Sequence, residues 1–128
     1  MEILHLIGRV IFGGFFIYNG LNHFMNLGMM KGYAGSKDVP APGLAVTVTG
    51  LMLVVGGLSV LLGLWPEIGL WLLIVFLIPV SFLMHDFWAV PEEQKVSEMT
   101  NFMKNMALLG AALMMLETSS AWTYTLGG

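Results

Sequence analysis

Trp65-Pro66-Glu67 separates two long apolar runs, Gly43 to Trp65 and Ile68 to Trp88. Each is close to the roughly 20 residues that a helix needs to cross a hydrocarbon core. A connection this short makes the two helices antiparallel neighbours, the repeating step of an up-down bundle. Two further runs flank the pair: Ile3 to Met25, and a last one from about Phe102 to Leu116. The last looks short, but Pro91-Glu92-Glu93 places a proline near a first helical turn and acids at the positive end of its dipole. That helix starts outside the lipid and runs in. The reading is all-α, one domain over residues 1–128 forming an up-down bundle of four transmembrane helices at approximately 3–25, 43–65, 68–88 and 92–117.

Composition points the same way. The chain is 57% hydrophobic and 10% charged, with a mean hydropathy of +0.82. A soluble domain of this size needs a much more polar surface. A net charge of -3 with no basic block excludes an electrostatic footprint for nucleic acid. With no cysteine, the chain offers no disulfide, thiolate metal site or thiol redox centre. The first run lacks a preceding basic region, is interrupted by Arg9 and is followed by no small-x-small cleavage pattern, so it reads as a retained helix.

Small residues mark where helices approach closely, because lipid removes the hydrophobic drive between them. Gly43, Thr47, Gly50 and Gly57 share one face of the second helix, and Ala107 and Ala111 one face of the fourth. Gly13 and Gly20 fall on a stripe of the first with Arg9, Phe16 and His23. These faces predict bundle interfaces, with dimerisation as the alternative. Asn26 to Pro42, carrying Gly28, Gly32, Gly35 and Pro40-Ala41-Pro42, reads as a long loop able to fold over the bundle. Pro79 cannot donate to the helical ladder, and it either aims His85 inward or is tolerated for packing.

The polar residues collect at one membrane edge, where ionisable side chains are expensive unless paired or used. Asn19, Asn22, His23 and Asn26 share one side of the first helix's end, and Asn101, Lys104 and Asn105 one side of the fourth helix's start. With Met84-His85-Asp86-Phe87-Trp88 closing the third, three helices deliver Asn22, His23, His85, Asp86, Lys104 and Asn105 to a common cluster. Tyr33, Ser36 and Lys37 are available from the loop. Three uses compete: a hydrogen-bonded structural cap, a site whose His, Lys and Asn groups bond the carbonyls of a quinone ring, and haem or metal ligation. The last is the weakest, since two isolated histidines form no ligand motif, and no metal, haem or covalently bound cofactor is expected. No nucleophile, base and acid set can be assigned, so catalytic residues stay unknown.

Lys104 is expected to pair with Asp86, with Glu98 as fallback, and Arg9, alone at the opposite edge, to pair with Glu67 or Glu117, with snorkelling outward as the alternative. The 11 methionines are scattered and read as adaptable packing rather than a copper site. Trp122 and Tyr124 read as interfacial belt residues. Lys31, Lys37, Lys95 and Lys104 share one side, so the positive-inside rule puts both long loops in the cytoplasm and both termini outside.

The chain resembles the DoxX-like membrane proteins over essentially its whole length. The resemblance is carried by Gly8-Arg9, Gly20-Leu21-Asn22-His23-Phe24, Tyr33 to Pro42, Gly56-Gly57-Leu58-Ser59, Phe76-Leu77-Ile78-Pro79, Met84 to Trp88 and Phe102-Met103-Lys104-Asn105. It implies a multi-pass protein of a bacterial or archaeal cytoplasmic membrane, linked to quinone-coupled redox systems. The expected function is an accessory or quinone-contacting subunit of such an assembly, in contact with lipid and with other membrane or redox subunits or a second copy. The alternatives are a structural or assembly subunit and a small transporter. Ionisable groups gathered at one edge rather than spread through the membrane depth weigh against transport.

Overall fold

A computed structural model describes residues 2–127. Five α-helices follow in order: α1 (Glu2–Met25), α2 (Leu27–Ser36), α3 (Pro42–Leu62), α4 (Pro66–Met84) and α5 (Glu92–Thr118), closed by a 3-10 turn at Ser119–Ala121. Three of them, α1, α3 and α4, are long and apolar enough to cross a membrane.

Helix ends follow local chemistry. Gly63 terminates α3 in a left-handed conformation, φ 64°, that a side chain resists, and the Leu64 N–H returns to the Ser59 carbonyl at 3.0 Å. The Ser59 hydroxyl donates to the Leu64 carbonyl at 2.6 Å, and Pro66 then opens α4. The second apolar run therefore stops at Leu62 rather than Trp65. The third stops at Met84 rather than Trp88, because residues 85–90 turn: Phe87 N–H bonds the His85 carbonyl and Ala89 N–H the Asp86 carbonyl. Phe87 and Trp88 leave the helix to pack edge-on against Phe102 of α5.

The expected loop from Asn26 to Pro42 is instead largely α2. Its backbone continues almost directly from α1, with Asn26 N–H on the Asn22 carbonyl and Met30 N–H on the Asn26 carbonyl. Gly28 and Gly32 face open space and disfavour helix by about 1 kcal/mol each. Burial of Ala34 and the anchoring of Tyr33 and Lys37, described below, override that preference.

Helices α1 and α3 pack backbone to backbone and antiparallel. A Cβ built on Gly13 would lie 2.6 Å from the Gly57 carbonyl oxygen, and one on Gly20 2.8 Å from that of Gly50. Gly56 and Gly69 bring α3 against α4 in the same way. The glycine faces of α1 and α3 are thus intramolecular interfaces, as glycine-mediated packing in lipid requires, whereas on α5 Ala107 is exposed and the buried small residue is Ala112. The core between them is Phe16, Leu53, Val60, Leu70, Leu73, Ile74, Leu77 and Ala112. Outward-facing Ile11, Leu51, Val55, Val75 and Phe82 are exposed apolar side chains suited to lipid.

Arg9 corrects its expected pairing. It meets neither Glu67 nor Glu117; its guanidinium donates to the carbonyls of Val60 (3.1 Å), Leu61 (3.0 Å), Thr123 (2.6 Å) and Tyr124 (3.0 Å). The last turn of α3 has carbonyls without helical partners and carries the negative end of the helix dipole, so a cation there satisfies both. The same contact draws the chain end across this edge, where Trp65 N–H bonds the Gly127 carbonyl at 2.9 Å. Trp122 lies under Arg9, ring centroid 5.4 Å from the guanidinium carbon.

Candidate functional site

At the opposite edge, α1, α4 and α5 enclose a cavity of about 170 Å³. Its polar lining is Asn19 and His23 from α1, His85 from the end of α4, Lys104 and Asn105 from α5, and Tyr33 from α2. Phe15, Phe16, Leu53, Phe76 and Leu77 form apolar walls. His23, His85, Lys104 and Asn105, from three separate segments, thus face one space. Asn105 is 6% exposed and makes no side-chain hydrogen bond to any described residue. A buried carboxamide ordinarily has partners, so its free donors and acceptor are available to a molecule in the cavity. Lys104 lies with its ammonium 5.6 Å from the Phe15 ring centroid, a cation–π contact.

A second space of about 360 Å³ adjoins the first and shares His23, Phe76, Val80 and Met84 with it. It runs between α2, α3 and α4 and is almost wholly apolar, lined by Ala34, Val46, Met52, Val75, Pro79 and Leu83. Pro79, lacking an N–H, leaves the Val75 carbonyl without its helical donor at this wall. Val75 and Leu83 are 56% and 51% exposed, so the groove meets the lipid-facing surface.

Asn22 and Asp86 line neither space. Asn22 accepts from the Asn26 amide at the end of α1. Asp86 pairs with Lys37 at 2.6 Å instead of with Lys104. The reason is α2: as a helix rather than a loop, it carries Lys37 to the 85–90 turn, while Lys104 sits deeper on α5 against α1. Ser36 turns back onto its own helix, donating to the Tyr33 carbonyl at 2.6 Å. With both partners of the Lys37–Asp86 pair about four-fifths buried, we expect Lys37→Met and Asp86→Asn to couple by roughly 1 kcal/mol in a double-mutant cycle. Lys104→Met and Asp86→Asn should be additive; coupling between that second pair would restore the pairing expected from topology.

Glu98 has a larger part than a fallback partner for Lys104. Only 7% exposed, it accepts from the Tyr33 hydroxyl at 2.9 Å and the Asn101 amide at 3.4 Å, and lies 3.5 Å from His85 Nδ1. Burial and the bond to Glu98 push the Tyr33 phenol up to about 12. Burial also holds His85 below its ordinary value of 6.5, outweighing the opposing pull of Glu98. His85 is therefore neutral at pH 7, and because the unfolded chain takes up its proton more readily, acidification through 6.5 works against this arrangement. The signal for Glu98 was in the sequence: it precedes Asn101 and Asn105 at i, i+3, i+7, on the same face of α5. Among the described residues, no group of three or more His, Asp or Glu side chains is placed to hold a metal ion.

The DoxX family profile matches residues 4–86. The chain is 27% identical over 116 residues to the inner membrane protein YphA of Escherichia coli (strain K12), covering 91% of this chain and 83% of that relative. No solved structure matches. The match spans α1 to α4 and includes His23 and His85, while Lys104 and Asn105 lie beyond it. Together with the three apolar helices, this makes the protein a multi-pass protein of the cytoplasmic membrane. The chain belongs to the DoxX family.

Proposed function

We propose that this protein is an accessory subunit of a quinone-linked redox assembly, an up-down bundle of four transmembrane helices over one domain, with α5 as the fourth crossing. The cavity takes the ring of a quinone-class molecule, and the adjoining groove takes its apolar tail. The observation that carries this reading is the meeting of the two spaces at His23: a small chamber with polar groups set among apolar walls adjoins a larger apolar groove that reaches the lipid face. Such a shape suits a ligand with a polar aromatic head and a hydrocarbon tail. An apolar cavity of roughly 150 Å³ holds a benzene ring, so about 170 Å³ accommodates a single substituted ring. Lacking cysteine and any assignable nucleophilic set, the chain relies on partner subunits for electron transfer.

His85→Phe tests it. The aromatic substitute keeps the wall and removes the ring nitrogens, so a short-tailed quinone-class ring, titrated in its oxidised and reduced forms, should lose about tenfold in affinity in whichever form the purified membrane complex binds more tightly, while the helical content is unchanged. Unchanged affinity, or no binding by the wild-type complex, would leave a structural subunit as the better account.

A further inference from the structure

Hydrogen-bond partners outside the cavity assign the tautomers of the two histidines that line it. His23 Nδ1 lies 2.9 Å from the Val46 carbonyl oxygen, which can only accept. Nδ1 therefore carries the proton. The Thr49 hydroxyl, 3.2 Å from the same nitrogen, is itself committed to donating to the Ala45 carbonyl at 2.7 Å and so also acts there as an acceptor. In a neutral imidazole this leaves Nε2 with a lone pair and no proton.

The second histidine follows the same logic. Glu98 receives the Tyr33 hydroxyl and the Asn101 amide, both donors, and so faces His85 Nδ1 as an acceptor. Nδ1 of His85 keeps its proton toward Glu98, and Nε2 again has the lone pair. The charged and titratable groups around His85 are Glu98 and Lys104 from α5, Tyr33 from α2, Lys37 at the C-terminal cap of α2, and the adjacent Asp86. Burial and the two lysines act against a second proton on the ring.

An oxidised quinone offers only acceptor oxygens. Two acceptor nitrogens at its carbonyls would face lone pair to lone pair, a mismatch that leaves buried groups unsatisfied. A hydroquinone carries a donor hydroxyl at each end of the ring and an acceptor oxygen in each hydroxyl. Its protons suit the two Nε2 atoms, and its oxygens suit the Asn105 amide and Lys104 ammonium. We infer that the cavity recognises the reduced, dihydroxy form of the ring, with His23 and His85 accepting its hydroxyl protons in hydrogen bonds and Glu98 acting as the positioning residue that sets the His85 tautomer. This rests on the reading of the cavity as a quinone-class site and reverses the polarity of the carbonyl-binding role expected from histidine content alone.

The test compares one ligand in two redox forms. A decyl-substituted benzoquinone and its hydroquinone, kept reduced under anaerobic conditions, are titrated into the purified complex. The hydroquinone should bind about tenfold more tightly. Glu98→Gln offers His85 an amide donor in place of a carboxylate, so it should cut that ratio several-fold, which a purely structural change would not do. Nitrogen-15 spectra of histidine-labelled protein should show protonated Nδ1 and bare Nε2 at both positions without any ligand. Equal binding of the two forms, tighter binding of the oxidised form, or Nε2-protonated rings overturns the preference for the reduced ring alone. Failure of both forms to bind overturns the quinone-class site itself, and this inference with it.

Discussion

Arg9→Met should lower the stability of the folded protein by about 3–5 kcal/mol, measured by unfolding in mixed detergent micelles. The side chain is 2% exposed and supplies donors to four carbonyls, two in the last turn of α3 and two in the terminal segment. Hydrogen bonds from a charged donor contribute roughly 1.5–3 kcal/mol each, and carbonyls stranded in a dry environment are costly in their own right. Methionine keeps an apolar stem of similar reach, so little of the loss comes from packing. The segment beyond Thr118 should also become accessible to proteases, because Thr123 and Tyr124 lose their anchor. Arg9→Lys should recover only part of the stability, since an ammonium is a compact point charge that cannot span a fork of acceptors. A loss under about 1 kcal/mol would mean that water reaches this edge and replaces the arginine.

The course of the helices was legible because lipid imposes a simple constraint: backbone groups must bond internally, so long apolar runs are helices. Alternation of direction then placed His23, His85, Lys104 and Asn105 at one edge without any knowledge of contacts. What the sequence did not reveal was α2. Three glycines and two prolines between Asn26 and Pro42 read as breakers, whereas Tyr33 and Lys37 are anchored by residues some fifty or more positions away, Glu98 and Asp86. No local pattern encodes such distant partners. The same omission redirected the charges, since a loop gives Lys37 no fixed position and leaves Asp86 to the nearest lysine in the topology. Arg9 was misassigned for a different reason. Counting charges looks for carboxylates, while the end of a helix in an apolar medium presents carbonyls that are equally good acceptors for a guanidinium.

Two adjacent glycines of α1 should respond in opposite directions. Gly13 meets α3 so closely that a built Cβ falls 2.6 Å from the Gly57 carbonyl oxygen and 3.0 Å from the Leu61 Cβ. The obstacle is backbone, which cannot rotate aside as a flexible side chain would. Gly13→Leu should therefore cost at least about 3 kcal/mol, at or beyond the upper end of ordinary overpacking, and push α1 from α3. Displacement of α1 would also move His23 off its Val46 acceptor, so the chamber should lose its shape along with the helix interface. Gly14, one residue on, has nothing within 4 Å of its built Cβ. Gly14→Ala should stabilise by about 0.5–1 kcal/mol by restoring helix propensity alone. Thermal unfolding of the two variants in the same detergent separates steric contact from composition: Gly13→Leu should melt well below wild type and Gly14→Ala slightly above it. Equal behaviour would mean that α1 and α3 are not in direct backbone contact, and the Gly13–Gly57 and Gly20–Gly50 crossing would have to be abandoned.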